Sequence, residues 1–213
     1  MLTVADVYAY VNRRAPFDTQ MDFDNAGLLT GTMDQPVTGI HAALDCTEGV
    51  IAEAEARGAN LILTHHPLLF HARKRMTEED AEGRLLCRLI RGRMALLAAH
   101  TNLDRAAGGI NDVLAEVCGL RDPAGEDFLR VGDLPAPMQA QELQAYLAAR
   151  LQTAVRLMGQ PQRVVRRLGV SSGAGGDGWP LAKALGADAF LSGEIRHHEA
   201  LECVANGVTA LEG

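Results

Sequence analysis

Aromatic side chains are scarce in this 213-residue chain, at 4% of residues with a single Trp. A core poor in rings is assembled from Leu, Val, Ile and Ala, which suits helices layered on a sheet better than an aromatic-rich β-sandwich. Cysteine is also sparse: four residues, Cys46, Cys87, Cys118 and Cys203, with no CxxC and no close pair. That excludes a disulfide scaffold and a zinc-finger pattern, and reads as buried thiols in a reducing compartment. Cys203 is the only one near a polar cluster. No uncharged run approaches the ~18 residues of a membrane-spanning helix. No basic segment ahead of an apolar stretch opens the chain, so the expected location is cytoplasmic. Excess positive charge is missing too. The formal net charge of −7 disfavours a surface that binds nucleic acid by neutralising phosphates. Arg163, Arg166 and Arg167 come nearest to a basic patch and read more simply as a solvated strand edge.

What is present is the balance of an ordinary globular chain, 47% hydrophobic and 22% charged. Thr3 and Asp6 make a capping-box pattern ahead of Val7, Tyr10 and Val11, so a helix opens the chain. After a loop at Asp22–Gly27 and a short apolar segment ending at Gly31, Gly39–Leu44 reads as a strand. Asp45 is placed to cap a helix running to about Arg57, and Gly58 ends it. Ala59–Thr64 and Met94–Ala99 read as buried strands on either side of a helix from about Glu78 to Arg91. Asn111–Val117 is a further helix, closed at Gly119. Beyond the linker candidate Arg121–Asp127 the alternation resumes. It runs through a helix at Gln141–Leu151, a strand at Val164–Ser171 and a short helix at Pro180–Leu185. A strand at Ala189–Ser192, a helix at Glu199–Ala205 and a strand from Val208 to Leu211 follow. Helices between strands are the mark of βαβ units, so the expected class is α/β with mixed or parallel sheets. Two domains are expected, 1–122 and 128–213. No helix follows the last strand before Gly213, so the chain is expected to continue or to end in disorder.

Of seven histidines, His65, His66, His100, His197 and His198 fall shortly after expected strands. In open α/β sheets ligands bind beyond the carboxyl ends of the strands. Neighbours in an extended chain point opposite ways, so His65 and His66 at a strand end can fork toward two cations ~3.5–4 Å apart. The plainer alternative is one satisfied core histidine and one exposed one. In HTNLD (100–104), Asp104 is a carboxylate able to bridge two cations or simply to cap the next turn. His100 is a ligand, a residue behind the ligands or a proton shuttle. Imidazole with carboxylate suits zinc, manganese or iron. In SGEIRHHEA (192–200), Glu194, His197 and His198 are candidates for metal binding, for catalysis or for substrate contact. The competing account is a polar helix start with Glu199 as its dipole partner. Gly173, Gly175 and Gly178 also satisfy GxGxxG after a strand, but Pro180 opens a helix of only about two turns, which argues against a dinucleotide site.

The segments DNAGLLTG (24–31), ALDCTEGVIAEA (43–54), LILTHHPLLF (61–70), HTNLDRAAGGIND (100–112), VGDLPAPM (131–138) and LSGEIRHHEAL (191–201) occur in this order. Together they are similar to the Nif-three-like dinuclear-metal-centre proteins, also called GTP cyclohydrolase 1 type 2 homologues, over essentially the whole chain. The resemblance implies two α/β domains with a metal pair in the cleft between them and assembly into a toroidal hexamer. It carries metal ligation to His65, His66 and Asp104, with His100 close by, and puts Asp24 and Asn25 near the site as candidate substrate-binding residues. The family completes its site with a GHxxTE-like segment after the strand matching VTALEG, beyond Gly213. The residues up to Gly213 are therefore expected to make a weak or single-ion site, and up to two ions are expected where those ligands exist. The implied activity is a metal-dependent hydrolase acting on GTP or another small molecule. The rival is a metal-binding ring that serves as a scaffold or partner-binding protein.

Overall fold

The computed structural model describes all residues from Met1 to Gly213. The chain divides into two compact units, Met1–Ala107 and Gly108–Gly213.

In the first unit, four strands form a sheet in the order β1 (Gly27–Thr30), β4 (Ala95–Ala98), β3 (Leu61–Thr64), β2 (Ile40–Ala43). β2, β3 and β4 are parallel, and β1 closes the edge antiparallel to β4. Both faces of the central strands are covered, so they read as continuous apolar runs. Leu61, Ala95 and Leu97 pack with Val4 and Val7 of α1 (Val4–Arg14) on one face. Ile62 and Leu96 turn to the other face, against Ile51 and Ala54 of α2 (Glu48–Ala56) and Leu89 of α3 (Ala81–Arg91). Alternation along each strand thus assigns α1 to one layer and α2 with α3 to the other.

Helix starts follow the expected chemistry with one correction. Thr3 and Asp6 form the capping box of α1. The cap of α2 is Thr47, whose hydroxyl accepts from the Val50 amide at 3.2 Å, and not Asp45. Asp80 caps α3 by accepting from the Gly83 amide at 2.7 Å. Its carboxyl also binds Arg73, which holds its pKa down at about 2. Gly83 is required by close approach, since a Cβ there would collide with the Thr77 carbonyl. Gly83→Ala improves helix propensity by about 1 kcal/mol, yet forces a backbone shift of greater cost. We expect a melting temperature roughly 2–6 °C lower by calorimetry; an unchanged or higher value contradicts this packing.

The second unit carries six strands in the order β5 (Arg121–Ala124), β6 (Arg130–Gln139), β8 (Val164–Ser171), β9 (Ala189–Ser192), β10 (Thr209–Glu212), β7 (Arg156–Met158). β8, β9 and β10 are parallel and the other pairings antiparallel. Leu168, Val170, Leu191 and Leu211 face α5 (Ile110–Val117) and α6 (Ala140–Leu151). Val131, Phe190 and Ala210 face α7 (Trp179–Ala184) and α8 (His197–Ala205).

Two expectations change here. The division falls between Ala107 and Gly108, not at 122–128, because Ala115 of α5 and Cys118 just after it are buried in the second unit's core. The supposed linker is instead β5 and its turn back into β6, with Gly125 and Asp127 at positive φ. β6 itself was not expected, since Pro135 and Pro137 interrupt its alternation. The register slips between Asp133 and Met138, where the prolines lie, which spares the ladder the amide protons they lack. Arg166 and Arg167 sit on β8, an interior strand, and Arg167 is paired with Asp133 at 2.7 Å. The buried thiols of Cys118 and Cys203 are pushed up to about 12 by desolvation, which makes them unreactive. No helix is long and apolar enough to cross a membrane.

Candidate metal centre

β3 and β4 are parallel neighbours, so the residues that follow them emerge at one edge of the sheet. The amides of His65 and His66 continue the ladder, donating to the carbonyls of Ala43 at 3.3 Å and Leu44 at 3.0 Å. The Thr64 hydroxyl donates to the His66 carbonyl at 2.9 Å and fixes the bend before Pro67. Directly after β4, the Ala99 amide donates to the Thr64 carbonyl at 2.9 Å and His100 follows at once. The short helix α4 (Thr101–Arg105) starts there and brings Asp104 back, its amide donating to the His100 carbonyl at 3.0 Å.

The three rings gather closely. Their centroids are 4.9 Å apart for His65–His66, 5.1 Å for His65–His100 and 5.6 Å for His66–His100. One ring nitrogen from each lies within 4.8 Å of those of the other two, a grouping able to hold a metal ion. Asp104, 7% exposed, places Oδ1 3.7 Å from His65 Nε2.

Hydrogen bonds decide which nitrogens face one another. His65 Nδ1 lies 2.9 Å from the Ala99 carbonyl. A carbonyl only accepts, so Nδ1 carries the proton and Nε2 keeps its lone pair. His66 Nδ1 meets Asp45 Oδ1 at 2.7 Å, and His100 Nδ1 meets Asp24 Oδ1 at 2.8 Å. With each imidazole neutral, all three protons sit on Nδ1 and all three Nε2 atoms are bare. Carboxylate or carbonyl behind imidazole is how metal-binding histidines are held in the ligating tautomer.

Electrostatics favour the same state. Burial pushes the His65 pKa down, and the neighbouring His100 and His66 add to this, outweighing the Asp104 charge and the Ala99 bond. His65 is therefore neutral at pH 7. Burial pushes the Asp24 carboxyl up, but hydrogen bonds from Thr101, His100 and the Asn25 amide more than offset it, and the net shift is downward. Three imidazole nitrogens and one carboxylate fit a borderline divalent cation such as zinc, manganese or iron. The clustered group itself is the three histidines, with Asp104 beside His65.

Several expected roles are redistributed. His100 is a third member of the cluster, where the resemblance placed it beside the ligands. Asp24 is not open to a substrate: its side chain is fully buried, accepting from His100, from the Thr101 amide at 3.0 Å and from the Thr101 hydroxyl. The Asn25 amide donates to the Leu69 carbonyl at 2.6 Å and ties two loops together. Asp45, expected as a helix cap, orients His66. Its position at the end of β2, beside β3, was the available signal. Glu194, His197 and His198 are not among the clustered groups. They belong to the second unit, where His197 opens α8 and Glu199 accepts from the Arg196 amide at 2.8 Å. The GxGxxG amides are not all free for a phosphate either, since Gly175 donates to Ser192 Oγ at 3.0 Å.

Known proteins resemble this chain in sequence and fold. The chain is 34% identical over 217 residues to a Clostridium perfringens protein named GTP cyclohydrolase 1 type 2 homolog, covering 97% of this chain and 83% of that one. A Streptomyces coelicolor protein of the same name is 33% identical over 225 residues, covering 99% of this chain and 79% of that one. The crystal structure of a Staphylococcus aureus hypothetical protein superposes with a TM-score of 0.93 at 27% identity, covering 99% of this chain and 85% of that one. Residues 2–213 match the family model described as Duf34/NIF3 (NGG1p interacting factor 3), and the chain belongs to that family.

Proposed function

We propose that His65, His66, His100 and Asp104 hold a divalent metal ion and that the protein is a metal-dependent hydrolase of a nucleotide or related small molecule. The observation that carries this reading is the common polarity of the three rings. Each Nδ1 is engaged from behind, by the Ala99 carbonyl, Asp45 or Asp24, which leaves the lone pair of each Nε2 available to a cation beside the other two rings.

A cation of this kind supplies Lewis acidity and makes water a nucleophile near neutral pH. The chain's own residues perform the positioning. Asp24 holds the proton on His100 Nδ1 and Asp45 holds that on His66 Nδ1, so both rings present Nε2. His65 and His100 are largely covered, whereas His66 and Asp45 have side chains 46% and 54% exposed. Solvent and substrate therefore approach from the His66 side.

The name carried by the two curated relatives makes GTP the first substrate to test. Zinc- or manganese-loaded protein is expected to open or hydrolyse GTP, with His65→Ala losing at least ~100-fold in kcat/KM. Equal turnover by His65→Ala sinks the catalytic reading. A protein that binds metal but turns over neither GTP nor a phosphoester is a metal-binding scaffold instead.

A further inference from the structure

Phe23 and Phe70 stand out in a chain with only five phenylalanines. Phe17 and Phe190 are core residues at 5% and 0% exposure, but Phe23 is 61% exposed and Phe70 38%. The two rings face each other with centroids 6.2 Å apart and planes inclined at 58°. Phe70 also lies 6.1 Å from the ring of His100, nearly perpendicular to it. The pair therefore borders the histidine cluster.

Their immediate neighbours in the chain are tied into the site by hydrogen bonds. Phe23 directly precedes Asp24, which is locked to His100 and Thr101. Phe70 directly follows Leu69, whose carbonyl accepts from Asn25. The hydrogen bonds that orient His100 thus also place an aromatic corner beside it. Leaving two such rings in water costs stability that burial in the core would have contributed.

We propose that Phe23 and Phe70 form a stacking wall that grips the planar heteroaromatic ring of a small-molecule substrate beside the metal centre. The role as a substrate wall rests on the metal-centre reading above. Inclined rings give one face and one edge, the arrangement in which a flat ring stacks on one partner and meets the other edge-to-face. Together they expose roughly 200 Å² of ring surface, far below the ~800 Å² per partner of a stable protein interface. That area matches one heterocycle. A ring bound here brings its substituents to the His66–Asp45 side, where the cluster is open to solvent.

The test is calorimetric titration of the zinc-loaded chain with guanosine, uridine and ribose, with zinc content measured on every variant. Guanosine or uridine is expected to bind saturably and ribose to fail. Phe23→Ala and Phe70→Ala should each weaken nucleoside binding about 5- to 100-fold at unchanged zinc content, with Phe23→Trp retaining it. Unchanged nucleoside affinity in both alanine variants overturns the proposal, as does a parent that binds neither nucleoside. Loss of affinity only in step with loss of zinc also overturns it. So does an alanine variant whose sole change is its oligomeric mass, which makes the pair a protein contact. A parent that binds no zinc yet loses guanosine binding in both variants removes the metal-centre reading and leaves the aromatic wall standing.

Discussion

His100→Ala is expected to lower the affinity of the chain for zinc by at least ~100-fold while leaving the melting temperature of the metal-free protein within a few degrees. The two effects separate because the ring contributes differently to each. Toward a cation it is one of three clustered imidazole donors, and losing one of them leaves the coordination of a tetrahedral ion less complete. Toward the fold it is a partly covered side chain whose main bond is Nδ1–H to Asp24 at 2.8 Å. The Asp24 carboxylate keeps the Thr101 amide and hydroxyl after the ring is gone. Competition against a chromophoric chelator measures the first quantity and calorimetry the second. Wild-type zinc affinity in this variant removes His100 from the centre. A collapse in melting temperature makes its role structural.

Asp24→Ala should produce the opposite division, with stability and metal affinity falling together. Its fully buried carboxylate accepts from two groups at the start of α4 and from His100. Removing it strands buried donors, each costing about 1–3 kcal/mol, so a loss of about 2–4 kcal/mol in urea unfolding is expected. His100 also loses the partner that holds its tautomer, which typically costs about 10–100-fold in metal affinity. The acid limb carries a further signature. The folded Asp24 pKa lies below the ordinary value of 3.8. Its contribution is present above 3.8 and disappears as pH falls through the lower folded value. The alanine variant should therefore lose less stability than the parent as pH falls below 3.8. Parallel acid limbs for the two proteins would show that Asp24 is not held ionised by these bonds.

Much of the framework was legible from local pattern. Thr3 and Asp6 announced α1, the runs at Ala59–Thr64 and Met94–Ala99 announced the buried strands β3 and β4, and Val164–Ser171 and Ala189–Ser192 matched strand bounds. Apolar periodicity and caps act within a few residues, so a linear reading detects them. β5 and β6 escaped because their pairing is specified across the sheet. Pro135 and Pro137 look like breakers until the register slip between Asp133 and Met138 accommodates them. The division at Ala107 escaped for a similar reason, since a charged Pro-Gly stretch reads as a linker whether or not it forms an edge hairpin.

For the site, the sequence by itself placed His65, His66, His100, His197 and His198 after expected strands and expected them at one edge. Only the first three share one, because β3 and β4 are parallel neighbours while His197 and His198 belong to the second unit. Which nitrogen each ring turns inward was decided only by the tertiary structure. The partners that hold the Nδ1 protons lie 34, 21 and 76 residues away, at Ala99, Asp45 and Asp24. A tautomer is set by a hydrogen bond, and a hydrogen bond across that separation exists only once the sheet has brought its strand ends together.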